Sequence, residues 1–406
     1  MGSTVVITGS LDTKGEEFAF LKELIEKEGL QTLVIDFGVL GEPAFTPDVS
    51  RQEVASAGGG DLATLASGEQ KDEAMRVMAA GLAVIVRRLF DEGRLDGIIG
   101  MGGGGGTSLS TAAMRALPVG VPKVMVTTLA SGDVSAYVGT RDITLMPSIV
   151  DVAGFNRISN LIYANAAGAI SGMVKMKAVK AARAGKDKPL IAASMFGNTT
   201  LAVDRARSLL EAHGFEVLVF HATGTGGKTM ESLVADGQFT GVLDITTTEL
   251  ADEVCGGVLN AGPERCLAAS RYAVPAVLVP GCVDMANFWA LDTVPEKYRS
   301  RKLYQWNPNI TLLRTDNEEN KRIGEMIAAA ANAATAAVSI LIPLKGVSQL
   351  DSPGGEFWDP EADGACFEAI KRNLKPGIPV IELDRNINDP EFADRAAQTL
   401  LDILEK

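Results

Sequence analysis

Gly97-Ile98-Ile99-Gly100-Met101-Gly102-Gly103-Gly104-Gly105-Gly106-Thr107-Ser108 joins a short apolar run to five consecutive glycines, and a helix-compatible segment opens at Thr107. Residues without side chains bare their backbone N–H groups and tolerate positive φ, at an entropic cost in the unfolded chain. Between a strand and a helix N-terminus, such a run makes a concave donor surface at the positive end of a helix dipole. That surface suits a phosphate group. The bland alternative is a tight turn with no ligand. Flexible glycine linkers, however, carry serine and charge around them, whereas this run follows a buried-looking strand.

Outward from that loop, the flanking segments read as βα units. Thr4 to Thr8 is a continuous apolar run, the pattern of a parallel strand buried on both faces. The turn Gly9 to Gly15 leads into an expected helix over 16–28, and Thr32 to Phe37 reads as the next strand, giving a right-handed βαβ unit. Asp36 sits where a dinucleotide-binding fold keeps its ribose-binding acid, but the first loop has glycines only at 9 and 15 and lacks GxGxxG. Asp12, Thr13 and Lys14 put a carboxylate, a hydroxyl and an ammonium in one strand-to-helix loop. They are candidates to hold Mg²⁺ and a polyphosphate, with Asp12 the metal ligand, or else a helix cap beside a solvated lysine. Helix 71–91 and strand 124–128 follow; the latter ends in Leu129-Ala130-Ser131-Gly132-Asp133, which adds Ser131 to the nucleotide set. An Ala-rich helix runs from about 157 to 182, and the polar stretch 183–188 marks a domain boundary, giving expected domains of 1–184 and 185–406.

The second half repeats the pattern, with strands expected at 189–195, 215–220, 242–245, 275–279, 310–313, 338–342 and 379–383. His221 to Thr229 imitates a P-loop, but Ala222 stands where GxxxxGK[ST] needs its first glycine, so the expectation is only an anion nest at a helix start. Oxygen-bearing groups gather at strand ends: Thr247, Glu249, Asp252, Asp284, Asn287 and Asp351. Together they could form a second pocket for a cation, a polyol or a hydroxy acid, or they could simply cap the following helices. The fold class expected from all this is α/β, two Rossmann-like subdomains with largely parallel sheets and helices on both faces.

Composition sets the outer bounds. The 406 residues are 46% hydrophobic and 22% charged, as in a folded soluble protein of two or three domains. A net charge of -13 argues against nucleic-acid binding, which needs clustered Lys and Arg. Two histidines leave too few imidazoles for a Ser-His-Asp triad or a His-rich zinc site. The four cysteines, 255, 266, 282 and 366, have no CxxC spacing and read as small core residues. No apolar run reaches membrane-spanning length and no signal peptide precedes the first strand, so a cytoplasmic location is expected.

Several motifs carry a resemblance over nearly the whole chain: Thr8 to Glu16, Met101 to Thr107, Ser131-Gly132-Asp133, Asp151 to Ser159, Gly224 to Gly227, Thr247 to Asp252 and Pro280 to Met285. Together they resemble an uncharacterised bacterial and fungal family related to the ATP-binding inhibitor domain of the tomato mosaic virus resistance protein. The resemblance implies ATP with Mg²⁺ in the first subdomain, and a homodimer. Its nucleotide contacts would be Asp12, Thr13, Lys14, the backbone of Gly103, Gly104, Gly105 and Gly106, and Thr107. Two functions are then expected. One is an ATP-binding protein of small-molecule metabolism that transfers phosphate to, or activates, an organic or sugar acid held by Thr247, Glu249, Asp284, Asn287 and Asp351. The other is a non-catalytic nucleotide-sensing or partner-binding dimer, which fits the presence of only two histidines and of none near the pentaglycine loop.

Overall fold

The computed structural model describes residues 2–66, 71–183 and 188–405, without the side chains of 177–183. The chain divides into two compact units, Met1–Gly185 and Lys186–Lys406.

In the first unit the strands are β1 (Thr4–Gly9), β2 (Gln31–Asp36), β3 (Gly97–Gly102), β4 (Lys123–Thr127) and β5 (Thr144–Pro147). The helices are α1 (Leu11–Lys27), α2 (Arg51–Ala57), α3 (Leu62–Leu65), α4 (Lys71–Asp91), α5 (Gly104–Arg115), α6 (Ser135–Val138) and α7 (Arg157–Arg183). The sheet has the order β2-β1-β3-β4-β5 and is parallel throughout. β1 and β3 are buried along nearly their whole length, as their unbroken apolar runs require. Phe18, Leu21 and Ile25 of α1 pack with Tyr163, Ala166 and Ile170 of α7 on one face. Leu82 and Ile85 of α4 and Leu109 and Met114 of α5 cover the other. α1 begins at Leu11, earlier than the sequence suggests, and is interrupted at Lys14 (φ −138°, ψ 26°).

The second unit carries strands β6 (Leu190–Met195), β7 (Glu216–His221), β8 (Gly241–Thr246), β9 (Ala276–Gly281), β10 (Met285–Phe288), β11 (Leu303–Asn307), β12 (Ile310–Arg314), β13 (Val338–Pro343) and β14 (Val380–Leu383). Its helices are α8 (Thr200–Ala212), α9 (Thr225–Ala235), α10 (Glu249–Cys255), α11 (Ala268–Arg271), α12 (Asn317–Asn332), α13 (Pro360–Asn373) and α14 (Pro390–Leu404). Six strands form a parallel sheet, β14-β13-β9-β8-β6-β7, covered by α8 and α14 on one face and by α9, α12 and α13 on the other. A separate antiparallel sheet, β10-β12-β11, was not expected: 310–313 reads as one more parallel strand in the sequence, yet it pairs with two strands of its own. The four cysteines are free and buried. No described helix is long and apolar enough to cross a membrane.

Candidate functional site

In the first sheet the connections from β1 and β3 leave to opposite faces, and Thr8 lies in register with Gly100. Loops that part in this way leave a crevice at the carboxyl ends of the two strands, where open α/β sheets bind ligands. The two loops are Ser10–Lys14 and Gly103–Gly106.

The glycines of β3 and of the loop that follows it fall into two groups. A Cβ on Gly97 would lie 2.6 Å from Val174, one on Gly100 2.5 Å from Ser110 Oγ, and one on Gly102 3.0 Å from Gly106 Cα, so close packing accounts for these three. Gly103, Gly104 and Gly105 are different: the nearest atoms to their added Cβ are Thr128 Oγ1 at 3.8 Å, Leu129 Cδ1 at 3.9 Å and Met75 Cε at 3.8 Å. None of the three has positive φ. Neither sterics nor backbone conformation demands glycine here, although each of the two inside α5 costs about 0.5–1 kcal/mol relative to alanine. Gly103 is the N-cap, no side chain caps the helix, and Gly104 and Gly105 are exposed. The first N–H groups of an α-helix have no partner within it, so these amides face outward unpaired.

The β1–α1 loop is more occupied. Asp12 accepts from Ser10 Oγ at 2.6 Å through one oxygen, and from the amides of Leu40 (2.8 Å) and Gly41 (3.1 Å) through the other. Burial pushes its carboxyl up, but these hydrogen bonds outweigh that and hold it below the ordinary range. Lys14 Nζ donates to the carbonyl of Val152, and Thr13 Oγ1 donates to Ser10 Oγ at 3.1 Å. Thr107 is buried, its hydroxyl paired with that of Thr127 at 2.6 Å, while Ser131 is exposed on the loop after β4. Asp36 is sealed beneath: one oxygen accepts from Leu11 and Gly38 amides, the other has no donor, and burial raises its carboxyl. Beside the Asp12 loop lies a cleft of about 620 Å³, walled by Val39, Leu40, Leu62 and Ala63 with Arg51 and Gln52 at its polar edge. Its size suits a small-molecule ligand.

In the second unit the expected anion nest is already filled. Glu249 Oε1 accepts from the amides of Gly224 (2.7 Å) and Gly227 (3.1 Å), and Oε2 accepts from Arg265 Nε at 2.6 Å. A Cβ on Gly227 would fall 2.2 Å from that carboxylate. Arg265, wholly buried, also grips both oxygens of Asp244 at 2.5 and 2.7 Å and reaches Glu231 at 3.1 Å. The residues expected to form a second pocket are all fully buried, and they divide among separate networks. Thr247 donates to Val279 O, and Glu249 belongs to the Arg265 network. Asn287 donates twice to Asp252, whose carboxyl burial pushes up to about 7. Asp284 and Asp351 meet through Ser348, beside Arg314 and Asp363.

Sequence reading did not single out Arg265, Arg314 or Asp363. A signal existed for the first: Asp244 interrupts the apolar strand Val242–Ile245, and a carboxylate buried in a strand needs a buried cation. Among the described residues, no group of three or more His, Cys, Asp or Glu side chains is arranged to hold a metal ion.

Two family models match the chain. The N-terminal domain of the Uncharacterised protein family (UPF0261) covers residues 3–179, and its C-terminal domain covers 188–404. A UPF0261 protein of Clostridium tetani is 50% identical over 407 residues, spanning 100% of both chains. UPF0261 protein RA0729 of Rhizobium meliloti is 45% identical over 98% of each chain. The ToMV resistance protein Tm-1(GCR237) of Solanum lycopersicum is 36% identical over 99% of this chain, which spans 56% of that protein. Among solved structures, the UDP-N-acetylglucosamine 2-epimerase of Rickettsia bellii aligns with 100% of this chain and 96% of its own, at 9% identity and a TM-score of 0.25, too low to bear on function. Matched along both halves, and end to end by its bacterial relatives, the chain belongs to the UPF0261 family.

Proposed function

We propose that the first unit binds ATP, its phosphates on the amides of Gly103–Gly106 and its base and ribose in the cleft beside Leu40. One observation carries this reading. Of the two glycine-rich helix starts, the one at Gly224 is neutralised by the protein's own Glu249, whereas the one at Gly103 has no side-chain cap and keeps glycines that packing does not require. An unpaired set of amides at a helix N-terminus is a ready anion site. Lys14 and Ser131 stand on neighbouring loops as further phosphate contacts, with Thr13 beside them. Thr107 acts from beneath, through Thr127, on the position of the nest.

Asp12 does not fit as an open metal ligand, because Ser10, Leu40 and Gly41 already hold both its oxygens. Mg²⁺ would come with the phosphates, and no step depends on a protein carboxylate for it. The same engagement, together with His213 and His221 both lying in the second unit, favours binding without rapid turnover. The non-catalytic nucleotide sensor is thus the better-supported of the two readings, in a cytoplasmic homodimer paired through the open side of α7, where Leu161 and Met176 are exposed. A second ligand at the carboxyl end of the second sheet would meet three aspartates against one arginine. A neutral polyol suits that setting better than an organic acid.

Titration calorimetry with ATP, NAD and sodium tripolyphosphate, with and without Mg²⁺, tests the reading. ATP and tripolyphosphate are expected to bind and NAD to fail. Ala63→Trp, which fills the cleft, should weaken ATP about tenfold or more while leaving tripolyphosphate unchanged. Absence of tripolyphosphate binding would remove the nest; equal ATP affinity in the tryptophan variant would remove the cleft.

A further inference from the structure

Residues 344–359 link β13 to α13 without regular structure and lie across the carboxyl end of the second sheet. The loop is tied down by Val347 O, which accepts from the Cys282 amide at 2.8 Å, by Ser348 Oγ on Asp284 Oδ2 at 2.9 Å, and by Gln349 N on Asn198 O at 3.2 Å. Beneath it sit Asp284 from the β9–β10 turn, Asp351 from the loop itself, Arg314 from the end of β12 and Asp363 from α13, every one of them buried. Three carboxyl groups thus share one guanidinium.

The hydrogen bonds show where the deficit falls. Arg314 gives Nε to Phe357 O, Nη1 to the carbonyl and hydroxyl of Thr315, and Nη2 to Asp359 O and Asp363 Oδ1. A guanidinium has five N–H groups, and these contacts engage all three of its nitrogens. Asp351 Oδ1, at 3.7 Å from Nη2, receives no hydrogen bond from it, and Asp284 Oδ1 also lacks a donor. Yet Asp351 Oδ1 and Asp363 Oδ1 face the same nitrogen, Arg314 Nη2, at 3.7 and 2.7 Å, which sets the two buried carboxyl groups side by side. Two carboxylates cannot bond to each other; a carboxylate and a carboxylic acid can.

We propose that Asp351 and Asp363 share one proton, and that this proton is the latch that holds the loop 344–359 closed over Asp284 and Arg314. The other titratable groups facing the pair are Asp284, Cys282 and Cys366, and burial first, with the neighbouring aspartates second, raises both thiols. Burial first, and the Asp351 charge second, push the Asp363 carboxyl up to about 9, and burial pushes Asp284 up to about 7. A carboxyl raised in the folded state favours folding most at low pH. That contribution falls as pH rises from the ordinary carboxylate value and is gone above the raised one. The latch is therefore shut at neutral pH and released in alkali.

Hydrogen exchange of the amides in 344–359, corrected for intrinsic rate, reads this directly. From pH 7 to 10 the native chain should lose about tenfold or more of its protection there, while α14 keeps its own. In Asp363→Asn the carboxamide donates to Asp351 permanently and still accepts from Arg314, so the loop should stay protected across the range. A flat profile in the native chain, or an unchanged pH dependence in Asp363→Asn, would overturn the proposal. Should that variant fail to fold, infrared spectra at pH 8.5, above the range where Asp252 and Asp284 hold their protons, decide: a neutral carboxylic acid band is expected in the native chain and is expected to weaken in Asp351→Asn, and a band of equal intensity in the two refutes the shared proton.

Discussion

Arg265→Met is expected to lower the stability of the second unit by about 3–5 kcal/mol, the range for removing one partner of a buried charge network. The guanidinium is sealed from solvent and neutralises Asp244, Glu249 and Glu231 together. Without it, the Asp244 and Glu249 carboxylates stay buried with no countercharge. The loss also reaches the Gly224 turn, because the Glu249 carboxylate that satisfies its amides is oriented by Arg265 Nε. Arg271→Met provides the contrast: its pair with Glu264 is exposed on both sides, and its removal should cost well under about 1 kcal/mol. Urea unfolding followed by circular dichroism would measure both; similar midpoints for the two variants would refute the assignment.

The Gly104→Ala, Gly105→Ala double variant should move stability and binding in opposite directions. Alanine in a helix is favoured over glycine by about 0.5–1 kcal/mol per residue, and both methyl groups meet only ordinary van der Waals contacts, with Leu129 and Met75, so α5 should gain up to about 2 kcal/mol. The same methyl groups line the amides offered to phosphate, so tripolyphosphate affinity should fall about tenfold or more. Measured together, a higher urea midpoint and weaker binding support a ligand-imposed requirement for glycine. Unchanged binding alongside the stability gain would leave these glycines without a role in recognition.

Much of the architecture was legible because it rests on local pattern. Continuous apolar runs such as Val5–Ile7 and Ile98–Ile99 mark buried parallel strands, and the small and polar residues after them mark the carboxyl end of the sheet. The glycine loop was legible for the same reason. What stayed hidden depends on pairings across distant sequence. Nothing near Glu249 says that it fills the turn at Gly224, and nothing near Asp12 says that its oxygens hold the loop at 40–41. Asp363, on an amphipathic helix, reads like any solvated acid until β12 brings Arg314 against it. The antiparallel sheet escaped because Leu303–Asn307 is half exposed and carries little of the alternation that marks a strand.

Among the described residues, each half of the chain encloses apolar layers made from its own side chains: Ile7, Phe18 and Leu82 among those of the first, Leu243, Ile323 and Phe392 among those of the second. Heating should therefore melt the protein in two calorimetric peaks instead of one. A nucleotide seated in the first half would shift a single peak upward and leave its companion in place, so one scan can report which half the ligand occupies.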